Sequence, residues 1–132
     1  MRRRFINLFQ VIVLALFVSA QNYQYHSSSQ SQKSILGKWS NKIVVPPSTD
    51  VYFNVITFTG EPSKGSFVDQ NNHTGSWTLE GDSVKWVYEN VPDLDNTFAG
   101  KLSEDGKSIT GINYGVWQGD QFKGSWEATL IE

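Results

Sequence analysis

Hydrophobic and polar residues alternate one by one near the end of the chain. The apolar positions are Phe122, Gly124, Trp126, Ala128 and Leu130. A period of two residues is typical of a β-strand that buries one face. The same alternation recurs at Val84, Trp86 and Tyr88, and at Phe98, Gly100 and Leu102. We therefore expect strands in all three segments.

Turn-forming residues bound these segments and divide the rest of the chain into pieces of similar length. Glu80-Gly81-Asp82 and Glu104-Asp105-Gly106 are two such boundaries, and Asp93-Leu94-Asp95-Asn96 is predicted as a third turn. The pattern predicts eight strands, at 35–45, 51–59, 65–69, 74–79, 83–89, 97–103, 108–117 and 121–131.

The arrangement of these strands follows from their short connections. No segment has a helical period, so a meander of sequential hairpins is the simplest topology. Closure of such a sheet removes its exposed edges. We predict an all-β fold, a single antiparallel eight-stranded up-and-down barrel. A two-sheet β-sandwich is the alternative, because alternation alone does not distinguish the two.

The first 34 residues differ in composition from the rest. Three arginines, an apolar stretch and the small residues of Val18-Ser19-Ala20 predict a signal peptide over 1–20. The polar segment 21–34 is predicted to be a disordered leader, and 35–132 the barrel domain. We expect a secreted or periplasmic protein without a stable membrane span after cleavage. An uncleaved N-terminal membrane anchor is the alternative.

Charge and cysteine content narrow the possible partners. Removal of 1–20 leaves eight Lys against 13 acidic residues, a net charge of -5. A chain with that balance and no Arg lacks the basic footprint that nucleic acids require. The absence of cysteine excludes disulfides and thiolate chemistry.

Gly-x-Trp occurs four times, at 37–39, 75–77, 115–117 and 124–126. In a small coiled barrel, a glycine lets a strand bend while a neighbouring ring fills the space. We interpret Gly37, Trp39, Gly124 and Trp126 as structural. Other rings could instead line the mouth of the barrel and stack on a ligand.

These motifs resemble those of the calycin group, which includes lipocalins and avidins. Gly37 and Trp39 resemble the first-strand motif of lipocalins, in which the Trp plugs the closed end. The segments 37–41, 84–86 and 126–129, together with Trp117, resemble avidins. The avidin resemblance implies that Asn41 anchors a polar ligand group, that Trp86 and Trp117 are stacking walls, and that biotin is one possible ligand.

Catalytic chemistry has few candidate residues in this sequence. His73 lies in a predicted hairpin tip, where a solvated role is more common than general-base catalysis. No ligand spacing indicates a metal or cofactor site. Asn72-His73-Thr74 matches the acceptor pattern for N-glycosylation at Asn72. We therefore do not expect an enzyme.

The sequence predicts an exported barrel that binds a small apolar or mixed-polarity ligand through aromatic side chains in its mouth. The predicted ligand-binding residues are Asn41, Trp77, Trp86, Tyr88 and Trp117. The alternative is a ligand-free barrel that acts as a surface interaction or inhibitor module. The oligomeric state stays open.

Overall fold

A computed structural model describes residues 32–132 of the chain. The predicted signal peptide and all but the last three residues of the predicted leader lie outside the described residues. The eight strands are β1 (Gly37–Val44), β2 (Val51–Glu61), β3 (Lys64–Asp69), β4 (Thr74–Glu80), β5 (Ser83–Tyr88), β6 (Leu94–Leu102), β7 (Ser108–Trp117) and β8 (Asp120–Leu130). Residues 32–132 contain no helix, and hence no helix that could cross a bilayer.

The strands form a closed antiparallel barrel. Each strand pairs with the next in the chain, and β8 returns to pair with β1 from Trp39↔Leu130 to Val44↔Ser125. This closing pair confirms the predicted up-and-down barrel. It also excludes the β-sandwich, because a sandwich would leave β1 and β8 without each other as neighbours.

One predicted turn is wrong. The segment Asp93–Asn96 was expected to be a turn before a strand at Thr97, but β6 begins at Leu94 and pairs there with Trp117 of β7. Only Asp93 keeps a turn conformation, with a φ of 57°. The pairing with β7 overrides the turn preference of Asp and Asn. Asn96 consequently faces the interior, where it is buried.

A cluster of aromatic rings fills the middle of the barrel and is called the aromatic floor below. Its members are Phe58, Phe67, Trp77, Trp86, Phe98 and Trp126, all buried. Trp86 lies at the centre, with its ring 4.9 Å from Phe98 and 4.4 Å from Trp126. Each large ring removes about 150–250 Å² from water, so these contacts supply much of the folding energy.

The end of the barrel where β1 begins is apolar and closed by side chains. Trp39 is buried there, and its indole N–H donates a hydrogen bond to the Ile35 carbonyl at 2.8 Å. Leu79, Leu102 and Ile109 are buried in the same half. The indole hydrogen bond satisfies the only polar atom of the Trp39 side chain, as burial requires.

Two glycines of the Gly-x-Trp motifs make room for side chains of neighbouring strands. A Cβ at Gly75 would lie 2.7 Å from the Phe67 ring, and one at Gly124 would lie 2.6 Å from Asn113 Oδ1. The expectation was that each glycine makes room for the Trp of its own motif. In the structure, the side chain next to each glycine comes instead from the residue paired with it on the neighbouring strand. Side chains two residues apart on one strand point in the same direction, so the Trp of the motif does not fill the space at its glycine.

Candidate functional site

The opposite half of the barrel interior is polar. At this end, called the polar end, four loops connect the strands, at 45–50, 70–73, 89–93 and 118–119. Just inside these loops, six strands each contribute one buried or half-buried polar side chain, together called the polar layer. Its members are Asn41, Asn54, Asp69, Tyr88, Asn96 and Asn113. The remaining strands, β4 and β8, have Gly75 and Gly124 in the corresponding part of the interior.

Strand alternation places every member of the polar layer inside the barrel. Asn41 follows buried Trp39 by two residues, and Asn96 precedes buried Phe98 by two. Since residues two apart share a face of a strand, these amides cannot turn outward without also exposing the buried rings of Trp39 and Phe98. The hydrophobic core therefore holds the polar side chains in place.

Six side-chain atoms in this layer and directly beneath it are buried without a hydrogen-bond partner among the described residues. They are Asn41 Oδ1 and Nδ2, Asn54 Oδ1, Asn96 Oδ1, Asn113 Oδ1 and Trp86 Nε1. Asn41 is 0% exposed. A buried polar group without a partner costs about 1–3 kcal/mol, so such groups are uncommon in a folded protein. Six in one half of a small barrel make this half the candidate site.

Asp69 organises the other side of the layer. Its Oδ1 accepts hydrogen bonds from the backbone amides of Asn71 and His73, at 2.8 and 2.9 Å. Its Oδ2 accepts from Asn54 Nδ2 at 3.2 Å and from the Tyr88 hydroxyl at 3.3 Å, and His73 Nδ1 lies 3.2 Å away. Asn54 Nδ2 also donates to the Tyr88 oxygen at 3.0 Å. The network fixes Tyr88 and directs Asn54 Oδ1 away from Asp69.

These contacts change the acidity of both ionisable groups. Burial opposes ionisation of Asp69, but the hydrogen bonds from the His73 and Asn71 amides and from Asn54 outweigh it and lower its pKa. Burial raises the pKa of Tyr88, and the neighbouring Asp69 charge raises it further. At neutral pH the pair is therefore a carboxylate beside a neutral phenol.

The lowered pKa of Asp69 gives a pH-dependent contribution to stability. A carboxyl whose folded pKa lies below the unfolded value stabilises the fold above that value, 3.8, and loses this effect as the pH falls through the folded pKa. We expect Asp69→Asn to lower the free energy of unfolding by at least about 1.5 kcal/mol at pH 7. The difference in the free energy of unfolding between this variant and the wild type, called the gap below, should decrease below about pH 4.

Urea unfolding at pH 7, 5 and 3 measures this gap, with Asp50→Asn at an exposed loop position as the matched control. The control should stay close to the wild type at each pH. A gap for Asp69→Asn that is as wide at pH 3 as at pH 7 would contradict an ionised, hydrogen-bonded Asp69.

The structure places the predicted ligand-binding residues in three different environments. Asn41, Trp86 and Tyr88 lie in or directly beneath the polar layer. Trp77 is buried in the aromatic floor, where its indole N–H is shared between the carbonyls of Thr59 and Ser66. Trp117 ends β7 at the rim and is 58% exposed. Two of the five thus belong to the polar layer, two to the aromatic floor and one to the rim, and their ligand-binding role stays a prediction.

Sequence reasoning missed four members of the polar layer, namely Asn54, Asp69, Asn96 and Asn113. A polar residue in an alternating segment is normally assigned to the solvent face. The signal that identifies them is parity, because each lies an even number of residues from a buried apolar residue of its strand. Asp69, two residues after Phe67, is the last residue of the predicted strand 65–69 and shares the inward face of Phe67.

Other candidate sites in the described part of the chain are weaker. Residues 32–132 contain no group of three His, Cys, Asp or Glu side chains that could hold a metal ion. A surface groove of about 310 Å³ crosses the outer side of β1, β7 and β8, where Lys42 and Glu127 form an exposed ion pair at 2.9 Å. This groove contains none of the predicted ligand-binding residues. Asn72 is exposed in the β3–β4 turn, and its glycosylation stays a prediction.

No protein-family model, curated protein or solved structure matches the chain. Its function therefore has to be inferred from the barrel itself.

Proposed function

We propose that this protein is exported and binds a small molecule in the polar half of its barrel, without catalysing a reaction. The observation that carries this proposal is the set of six buried polar atoms without partners above a floor of aromatic rings. Sites for small ligands combine apolar walls with a few convergent polar groups in this way.

The cost of the polar layer supports a binding role over a purely structural one. Leucine has the same number of side-chain heavy atoms as asparagine and would fill the positions of Asn41 and Asn113 without burying a polar group. A buried amide without a hydrogen-bond partner lowers stability, and a single substitution could remove it. Selection retains such a residue where activity depends on it. A bound molecule with complementary groups would offset this cost.

The residues divide between ligand contact and support. We assign contact to Asn41, Asn54, Asn96 and Asn113 around the sides and to Trp86 beneath. Tyr88 and Asp69 orient Asn54 through hydrogen bonds, and Trp77 packs the floor. Trp117 at the rim would cover a ligand from above. A closed barrel with an interior Asn on its first strand is compatible with a calycin-like, avidin-type protein, and biotin is one ligand to test.

Native mass spectrometry of the protein from its own source, compared with the denatured mass, tests the proposal. We expect an additional mass that disappears on denaturation. The double variant Asn41→Leu/Asn113→Leu should have no additional mass, whereas Asn71→Leu, at an exposed turn, should keep it. A bare mass for the wild type, also after incubation with biotin and a lipid extract, would contradict small-ligand binding.

Exposed apolar residues on the outer wall favour a second function, interaction through the surface. Phe53 on β2 is 67% exposed, two residues from exposed Val51, and Ile112 and Tyr114 are exposed on β7. A contiguous exposed apolar patch often marks an interaction site, whereas single exposed apolar residues are common on protein surfaces. A bare mass in every preparation would favour this function over ligand binding.

A further inference from the structure

Acidic residues surround the polar end of the barrel. Its four loops contain no Lys and no Arg. The exposed acidic residues in these loops and at the start of β8 are Asp50, Glu89, Asp93 and Asp120, and one exposed lysine, Lys123, lies three residues further along β8. At the other end, Lys64, Lys101 and Lys107 are mixed with acidic residues. A concentration of one sign of charge around a low-dielectric interior raises the local concentration of oppositely charged ligands.

The interior adds a further negative charge. Asp69 is the only buried charged residue among those described. Among the described residues, the groups that contact its carboxylate are two backbone amides, the Asn54 amide, the Tyr88 hydroxyl and the His73 ring, which is a cation only when protonated. A ligand carboxylate or phosphate placed in the polar layer would meet this charge, and none of the described Lys residues contacts Asp69 to offset it.

Most of the fully buried atoms without partners are hydrogen-bond acceptors. Four are amide oxygens, and two are the N–H donors Asn41 Nδ2 and Trp86 Nε1. The orientation of Asn54 is fixed, because its Nδ2 donates to both Asp69 and Tyr88 and its Oδ1 is therefore the atom left over. A primary ammonium has three donors and a guanidinium five, and neither is an acceptor.

The rings beneath the layer suit the same ligand. Trp86 and Phe98 stack on each other with an interplanar angle of 12°, so their facing sides are covered, and Tyr88 lies beside them with its ring 6.0 Å from Phe98. Aromatic faces attract organic cations within about 6 Å, and they also bury an apolar ligand body. Neither effect favours an anion.

We propose that the ligand of this barrel is a small organic cation, a protonated amine or guanidinium attached to an aromatic or aliphatic body. The inference rests on the proposed function and assigns the chemical class of its ligand. In this arrangement the cationic head lies among the asparagine oxygens near Asp69, and the body contacts Trp86 and Phe98.

Three indole probes of similar size and different charge test this inference by calorimetry on the mature chain. They are tryptamine, indole-3-acetamide and indole-3-acetate, with 2-phenylethylamine, 2-phenylacetamide and phenylacetate as a second set. We expect the amine of each set to bind at least about tenfold more tightly than the carboxylate at low salt. The preference should decrease at higher ionic strength.

Two matched charge variants test whether the acidic residues at the polar end cause this preference for amines. The double variant Glu89→Gln/Asp120→Asn removes two acidic groups there, and Glu80→Gln/Glu104→Gln removes two exposed ones at the opposite end. The first should reduce the ratio of amine to carboxylate affinity by about threefold or more, and the second should leave it unchanged.

Three results would overturn the cation inference. These are tighter or equal binding of the carboxylates, tighter binding of the neutral amides, and no binding of any amine. The proposed function is decided separately, because a retained mass in native spectra supports ligand binding whatever the charge of the ligand. A retained anionic or neutral molecule would thus refute the present inference and leave ligand binding intact.

Discussion

Replacement of Asn41 by leucine should stabilise the ligand-free protein while it abolishes ligand binding. Asn41 is fully buried, and neither atom of its amide has a partner among the described residues. Removing a buried polar group that has no hydrogen-bond partner should raise the free energy of unfolding by about 1–2 kcal/mol. Asn113→Leu should have the same effect, since its Oδ1 is in the same situation.

Chemical unfolding of the ligand-free protein measures this gain, and native mass spectra measure the loss of binding. Asn71→Leu is the matched control at an exposed position and should change stability by less than about 0.5 kcal/mol. A loss of 1 kcal/mol or more in both Asn41→Leu and Asn113→Leu would show that these amides serve the fold. That result would remove the main support for a binding site.

Trp86→Ala should cause a large loss of stability. The side chain is buried at the centre of the aromatic floor, 5.2 Å from Phe58, 4.9 Å from Phe98 and 4.4 Å from Trp126 between ring centres. Truncating a buried Trp costs about 3–5 kcal/mol, because the surrounding rings cannot collapse fully into the space. For a domain of this size, much of the total stability would be lost.

The same truncation at Trp117 is the matched control, since that ring lies at the rim and is mostly exposed. Trp117→Ala should cost less than about 1 kcal/mol. Trp86→Phe separates packing from hydrogen bonding, because it keeps an aromatic ring and removes the indole N–H. This variant should lose ligand affinity with a smaller loss of stability than Trp86→Ala. Equal stability losses for Trp86→Ala and Trp117→Ala would contradict the central position of Trp86.

The fold could be predicted from the sequence because the strands and turns of the barrel have short-range sequence patterns. Alternation of period two and turn residues located all eight strands, and the cost of exposed edges predicted closure. The start of β6 was missed because Asp93 to Asn96 has strong turn chemistry. That segment is a strand only because Leu94, Asp95 and Asn96 pair with β7.

The candidate site was only partly predictable. Asn41 and Trp86 were found through resemblance to avidins, and Tyr88 through alternation. Asn54, Asn96 and Asn113 were missed because a polar residue at an inward position contradicts the rule that assigns polar residues to solvent. Their convergence depends on closure, which brings β2, β6 and β7 around one interior. Hydrophobic alternation within a single strand does not contain that information.

The proposed function requires that the polar layer binds a molecule other than water. A high-resolution crystal structure of the protein purified from its own source would show whether it does. We expect electron density for a small molecule that contacts Asn41, Asn113 and the Trp86 indole N–H. Asparagine side chains bonded only to one another or to ordered water, above a floor with no further density, would contradict ligand binding in the polar layer.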